Sequence, residues 1–330
     1  MEKIFVNTPS KKYPIVLGKK VITELSNHLQ KYHKNKKVVV ITDDTVKKLH
    51  LQTLEKELPD FLTITIPPGE GSKSREIKAK IEDALLERNF GKDTLLIALG
   101  GGVIGDLTGF VASTYYRGIP FLQVPTTLLA MVDASIGGKT GINTEHGKNL
   151  IGTVYQPDAV MIEVEFLKTL PEEEFLNGLA EVIKIGCILD KDLFEEIEKH
   201  KEGILQRKEE LLLPLINRSI SLKKSIVEND EQETGLRQIL NFGHTVGHAL
   251  EKASSYSLKH GFAVSIGMVA ESMLAVEQGE LQKGEVERIR ALLKSLGLPT
   301  ELPAEINTPQ VWEAMKHDKK IKIKRYATFY

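Results

Sequence analysis

The stretch Thr94-Leu95-Leu96-Ile97-Ala98-Leu99-Gly100-Gly101-Gly102-Val103-Ile104-Gly105-Asp106, continued by Leu107-Thr108-Gly109-Phe110-Val111-Ala112, decides the fold class. A short apolar run predicts a strand, the glycines end it, and the apolar residues that follow predict a helix. Glycines at a strand end let the backbone approach a pyrophosphate, and the free amides of the next helix start favour anionic oxygen. The spacing is not G-x-G-x-x-G, and no G-K-[ST] ending marks a P-loop. Alone, the segment reads as a tight turn as readily as a ligand loop.

Working outward, Lys37 to Asp44 predicts a strand running into an acidic turn, and Phe61 to Ile66 a strand stopped by Pro67-Pro68-Gly69. Ser74 to Asn89 carries apolar residues at Ile77, Ile81, Ala84 and Leu85 with helical spacing, while Phe121 to Pro125 and Ala159 to Ile162 add two more strands. Alternating strands and amphipathic stretches predict a parallel sheet with crossover helices. From about Pro171 the texture changes to helical patterns, Glu172 to Ile188, Lys191 to Arg207, Glu210 to Asn229 and Gln238 to Ser254, without strand runs between them. The expected architecture is α/β: a Rossmann-like parallel-sheet domain over residues 1–165, followed by an all-helical domain over residues 166–330.

The 330 residues suit about two domains. With 44 Lys and Arg against 45 Asp and Glu, no bulk charge drives the chain toward nucleic acid or an anionic membrane. One Trp, eight Tyr and eleven Phe offer few stacking platforms for single-stranded nucleic acid. The single cysteine, Cys187, cannot form an intramolecular disulfide, so a reducing compartment, the cytoplasm by default, is expected. No apolar run reaches the roughly 18 residues of a membrane span, and no secretory leader pattern opens the chain. The basic clusters Lys31 to Lys37 and Lys319 to Arg325 read as solvated surface. A small-molecule enzyme gains by elimination.

Two further segments carry chemistry. Val132 to Asn143 brings Asp133, Gly137, Gly138, Lys139 and Gly141 onto one loop, and Gly147-Lys148-Asn149-Leu150-Ile151-Gly152 follows at once. Lysines flanked by glycine suit phosphate, since main-chain amides can join the ammonium. Both segments follow a strand ending in Thr126-Thr127, and ligands of open parallel sheets sit at carboxyl ends of strands. In the helical half, Leu179-Ala180-Glu181-Val182-Ile183-Lys184 places a carboxylate and an ammonium on one helix face, ordinarily an intrahelical salt bridge. Asn241-Phe242-Gly243-His244-Thr245-Val246-Gly247-His248 places two imidazoles four apart, and His260 follows at a short loop. Glu181 with two of these three histidines would make a carboxylate and two-His metal site with a position open to substrate; the spacing leaves open which two.

The strings GGGVIGD, TYYRGIPFLQVPTTLLAMVDASIGGKTGIN, GKNLIG, FLKTLP, GLAEVIK, LRQILNFGHTVGHA and KHGFAVSIGM, in this order, resemble the 3-dehydroquinate synthases, a family of sugar phosphate cyclases. The likeness runs from about Val39 to Lys320. It implies NAD and one divalent metal, zinc first and cobalt as an alternative, in a cleft between an α/β and a helical domain, and a homodimer. By the same resemblance the metal ligands are Glu181, His244 and His260, and catalytic work falls to Lys139, Lys184 and His248. NAD contacts are implied at Asp43, at Pro68, Gly69, Glu70, Gly71, Ser72 and Lys73, at Gly102, Val103, Ile104, Gly105 and Asp106, at Thr126 and Thr127, at Lys139 and Lys148, and at Phe166, Leu167, Lys168 and Thr169. Substrate contacts are implied at Asp133, Asn149, Lys223, Arg237 and Asn241, with Arg117 reaching a partner subunit's substrate phosphate.

The implied reaction converts 3-deoxy-D-arabino-heptulosonate 7-phosphate to 3-dehydroquinate and phosphate, with transient oxidation at C5, phosphate elimination, re-reduction and an internal aldol closure. Basic residues suit a substrate with a carboxylate and a phosphate. Two departures stand out. Pro68 occupies a position that is acidic in many family members, leaving only backbone contact there, and the family's Asp-Lys-Lys is present as Asp318-Lys319-Lys320 close to the end of the sequence. The competing readings are another cyclase, of the 2-deoxy-scyllo-inosose or 2-epi-5-epi-valiolone synthase type, and a metal-dependent polyol dehydrogenase. Arg237, Asn241 and Lys223, a carboxylate-recognising set, favour the heptulosonate.

Overall fold

The computed structural model describes residues 1–58 and 60–316; Asp318, Lys319, Lys320 and the basic cluster around them lie outside the described residues. Two compact units emerge, one of Met1–Leu170 with Val227–Gln232, the other of Pro171–Ile226 with the chain from Glu233 onward. No described helix is long and apolar enough to cross a membrane.

In the first unit the elements are β1 (Glu2–Asn7), β2 (Lys12–Gly18), α1 (Val21–Tyr32), β3 (Lys37–Asp43), α2 (Asp44–Glu57), β4 (Leu62–Ile66), α3 (Arg75–Glu87), β5 (Thr94–Gly100), α4 (Gly102–Thr114), β6 (Phe121–Pro125), β7 (Lys139–Thr144), β8 (Gly147–Val154) and β9 (Ala159–Glu163). Seven strands form one sheet in the order β1-β2-β9-β6-β5-β3-β4, parallel except for the β1–β2 hairpin at one edge. Counting the five crossover-linked strands β3, β4, β5, β6 and β9 gives the doubly wound order 2-1-3-4-5, whose switch point lies between β3 and β5. Central strands are apolar on both faces because helices cover both. Val39, Ile41, Leu96 and Ala98 pack with Ile81, Leu85, Leu107 and Val111 of α3 and α4 in one buried cluster.

Sequence reading and structure part in two places here. The N-terminal hairpin was not among the expected strands, although Glu2–Asn7 pairs residue for residue with Lys12–Leu17. The expected glycine-lysine loops are the antiparallel hairpin β7–β8, with Lys139 and Lys148 as strand residues. Glycine there serves close backbone approach: a methyl group on Gly152 would collide with the Thr140 carbonyl of the facing strand.

The second unit is helical: α5 (Glu172–Leu189), α6 (Lys191–Leu205), most of α7 (Glu209–Asn229), α8 (His244–Ala253), α9 (His260–Glu277), α10 (Lys283–Ser295) and α11 (Thr308–Lys316). Every residue of α5 from Phe175 to Cys187 is buried, which makes it the central helix. The single helix expected over Gln238 to Ser254 is instead a 3-10 turn, Leu236–Asn241, and α8; Gly243, at φ 77°, breaks them apart. His260 is the first residue of α9, where a loop was expected.

Candidate metal centre and nucleotide-binding face

Glu181 comes from the central helix and is fully buried. His244 and His260 each open a helix, and their Nε2 atoms lie 3.6 and 3.4 Å from Glu181 Oε1. One ligand-type atom from each residue falls within 4.8 Å of the others. The far ring nitrogens are committed elsewhere. His244 Nδ1 is 3.1 Å from the Phe242 carbonyl oxygen, which can only accept, so Nδ1 carries the proton and Nε2 the lone pair. His260 Nδ1 meets Glu251 Oε2 at 3.1 Å, an arrangement that again turns Nε2 toward Glu181.

Close backbone contacts hold the three helices. The Gly261 amide donates to Asn177 Oδ1 at 2.6 Å, and a methyl group on Gly261 would strike the Asn177 carbonyl, so α9 starts against α5. A methyl on Gly267 would likewise strike the Gly243 carbonyl, fixing α9 against the start of α8.

Electrostatics agrees with a cation here. Against the burial that would raise it, the Lys184 ammonium and the nearby His244 and His260 imidazoles hold the Glu181 carboxyl well below the usual range. Burial and the Lys184 ammonium hold His244 well below the usual imidazole value, leaving it neutral as a ligand must be. Burial opposes charge on His260, but Glu181 and Glu251 overcome it and push that imidazole up to about 10. What the two carboxylates stabilise at this point is positive charge. Glu181 Oε1 is a fully enclosed carboxylate oxygen with no hydrogen-bond donor, faced by two Nε2 atoms; a divalent ion fits that donor set.

Of the other expected residues of this unit, Lys184 and His248 adjoin the donor set. Lys184, buried, donates to Glu181 Oε2. The His248 ring lies edge-on to His244 at 5.2 Å between centroids and 6.1 Å from His260. Arg237 and Lys223 are buried cations, and Asn241 donates to Glu233 Oε1 at 3.0 Å. Glu251 and Glu233 were not singled out from the sequence. Glu251 left a signal, since it stands seven residues after His244 and three after His248 on one helical face.

In the first unit, the residues at the switch point converge. Asp43, ending β3, caps α2 by accepting from the Thr45 and Val46 amides, both at 2.9 Å. At the end of β5, α4 starts at Gly102 with Gly101 as its cap, and no side chain caps its first turn. Lys73 donates to both Asp106 and Asn149. Burial raises the Asp106 carboxyl, with Lys73 pulling against it and the charges of Glu70 and Asp133 adding to the rise, so these groups share one neighbourhood. Gly69, at φ 97°, turns the chain into the Glu70–Ser72 turn, where Ser72 donates to the Pro67 carbonyl and Asn143 to Glu70 Oε1 at 2.7 Å. Gly101 abuts Thr127, since a methyl group there would lie 3.1 Å from its Cγ2, and Thr126 is buried beside it.

Phe166 to Thr169 lie in the 3-10 turn Val164–Thr169, with the Phe166 ring tilted against His50 at 4.2 Å between centroids and Thr169 Oγ1 3.0 Å from His50 Nε2. Arg117 is not brought to the switch point. It follows the far end of α4, a helix about 20 Å long, in a turn where Tyr116, Arg117 and Gly118 all have positive φ.

Two family models together match residues 63–321, meeting inside α5. Residues 63–177 match the 3-dehydroquinate synthase N-terminal family model and 178–321 the 3-dehydroquinate synthase C-terminal model. A 3-dehydroquinate synthase of Thermodesulfovibrio yellowstonii is 44% identical over 325 residues, covering 97% of this chain and 90% of that protein. Among solved structures, the 2-epi-5-epi-valiolone synthase ValA of Streptomyces hygroscopicus, with NAD+ and Zn2+ bound, aligns with TM-score 0.85 at 29% identity, over 92% of this chain and 85% of that one. A 2-deoxy-scyllo-inosose synthase shares the fold at TM-score 0.87 and 23% identity, over 98% and 90% of the two chains. From its sequence and its fold, then, the chain belongs to the 3-dehydroquinate synthase family.

Proposed function

We infer that the chain catalyses the reaction for which its family is named, converting 3-deoxy-D-arabino-heptulosonate 7-phosphate to 3-dehydroquinate and phosphate. The family membership supports the reaction. The observation that carries the site assignment is the pair of Nε2 atoms, each fixed by a partner on Nδ1, facing the donor-less Glu181 Oε1.

When bound, NAD would supply a reversible hydride acceptor and the divalent ion Lewis acidity at substrate hydroxyls. Glu181, His244 and His260 would hold the ion, zinc first and cobalt as an alternative, as the zinc of the valiolone synthase suggests. The first-turn amides of α4 suit a pyrophosphate, and Asp43 at the end of β3 a ribose hydroxyl. Lys184 neutralises the inner oxygen of Glu181, which keeps that carboxylate ionised inside the helix bundle. His248, with its ring beside both ligand histidines, is placed to move a proton near the donor set without joining it. Arg237 and Lys223 suit the carboxylate and phosphate of the substrate. Lys139, Lys148, Asp133 and Asn149 remain the assigned cofactor and substrate contacts of the first unit, as do Phe166 to Thr169. A homodimer in the cytoplasm completes the reading, with Arg117 serving its partner; mixing Arg117→Ala and Lys184→Ala chains should regain activity, and no regain would oppose a shared site.

The test is turnover with the heptulosonate phosphate in the presence of NAD and zinc. Phosphate release without NADH accumulation is expected. Net growth of NADH absorbance would replace the cyclase by a dehydrogenase, and activity confined to glucose 6-phosphate would replace it by a different cyclase.

A further inference from the structure

Glu271 lies on α9 about three turns after His260, and its carboxylate reaches across to another helix. Oε2 accepts from the Gly243 amide at 2.7 Å, and Oε1 accepts from the Thr245 and Val246 amides at 3.1 and 3.3 Å. These are the cap and first-turn amides of α8, the helix whose first residue is His244. Helix starts ordinarily take their acceptor from the side chain at the cap position, but here that position is glycine in the left-handed region and has none. A carboxylate 28 positions downstream does the work instead.

We propose that Glu271 is a positioning residue for metal binding: by gripping the amides on both sides of His244, it fixes the spacing between His244 Nε2 and His260 Nε2. Two observations support this besides the hydrogen bonds. One rigid helix, α9, carries both the His260 donor and the grip on the His244 helix, so the two donors share a frame. Gly267, one turn before Glu271, presses its backbone against the Gly243 carbonyl, so the carboxylate secures a contact that sterics already bring close. The Nδ1 bond of His244 runs to the carbonyl of Phe242, the residue just before the Gly243 whose amide Glu271 holds.

The inference rests on the reading of Glu181, His244 and His260 as the metal set, and the experiment separates the two. Cobalt(II) affinity is measured by chelator competition on the full chain, with the visible cobalt spectrum recorded for wild type, Glu271→Gln, Glu271→Ala and a control, Glu163→Gln. Glu163 accepts from the Val21 amide at 2.7 Å at the start of α1, a comparable buried cap within the first unit. Loss of an outer partner to a ligand weakens metal binding by about 10- to 100-fold. Glu271→Gln, which keeps one acceptor oxygen, is expected at the lower end and Glu271→Ala at the upper, both with an altered cobalt band. Glu163→Gln should lower the melting temperature while leaving affinity and spectrum unchanged. If Glu271→Ala does not fold, Glu271→Gln carries the decision. Wild-type affinity and spectrum in Glu271→Gln would overturn the positioning role alone, as would equal weakening in Glu163→Gln. A wild-type chain that takes up no cobalt would overturn the metal reading itself.

Discussion

The two units build their sites by opposite means. In the first, the proposed nucleotide contacts lie where strands end: Asp43 closing β3, the glycines at the end of β5, Thr126 and Thr127 after β6. Each is continuous with the apolar run that places it, and much of the work falls to backbone amides. In the second, Glu181, His244 and His260 come from three helices that pack closely through Gly261 and Gly267. A strand-end site therefore tolerates change in side chains and fails when its backbone is altered. The helical site depends on side chains directly and on glycine contacts to bring them together.

Breaking the helical site should have the largest effect. Glu181→Gln removes the charge that faces both imidazoles and leaves the buried Lys184 ammonium unpaired. Phosphate release should fall by at least about 10³-fold, equivalent to roughly 4 kcal/mol, with metal content near zero; retained metal would show that the ion is held elsewhere. Next comes Gly267→Ala. Its methyl group would collide with the Gly243 carbonyl, so about 3 kcal/mol of stability should be lost together with metal affinity, as denaturant titration and metal analysis would show. An unchanged denaturation midpoint would mean the helices can part without consequence.

The strand-end site should respond more mildly. Lys73→Met removes the partner of Asp106 and Asn149, and NAD affinity should fall about 10-fold, near 1.4 kcal/mol, while metal content stays at the wild-type value. Loss of metal in that variant would contradict the division of labour. The smallest effect concerns acid stability of the first unit. Burial, reinforced by the charge of His33, lowers the His28 imidazole to about 4. The unfolded chain then takes up this proton from about pH 6.5 while the folded chain resists it, so stability is intact above that range and declines as pH falls toward 4. His28→Gln should narrow the difference between the melting temperatures at pH 7.5 and 5 by about 2 °C; an unchanged difference would place the acid sensitivity elsewhere.

The same contrast explains what could be read in advance. Strands β3, β5, β6 and β9 announce themselves as apolar runs, and the proposed contact residues adjoin them, so the parallel-sheet unit and its glycine-rich turn were legible. The hairpin β7–β8 was not, because Gly137, Gly138 and Gly147 read as loop while the pairing that makes them a ribbon is a property of two segments together. In the helical unit the histidines drew attention by rarity, but spacing could not choose two from His244, His248 and His260; what favours His244 and His260 is that the Nε2 atoms of both face Glu181 Oε1. Glu251 and Glu271 had little to distinguish them, since glutamate on a helix is ordinary. Only the packing shows that one holds a ring and the other a helix start.

Two overlapping donor sets, Glu181 with His244 and His260, and His248 with Glu251 and His260, share one histidine. Metal content of purified His244→Ala and His248→Ala proteins, measured side by side with wild type, separates them most directly. About one zinc per chain in wild type and in His248→Ala, with none in His244→Ala, is the expected result. Zinc lost from His248→Ala and kept in His244→Ala would contradict the assignment of Glu181, His244 and His260 as the metal centre.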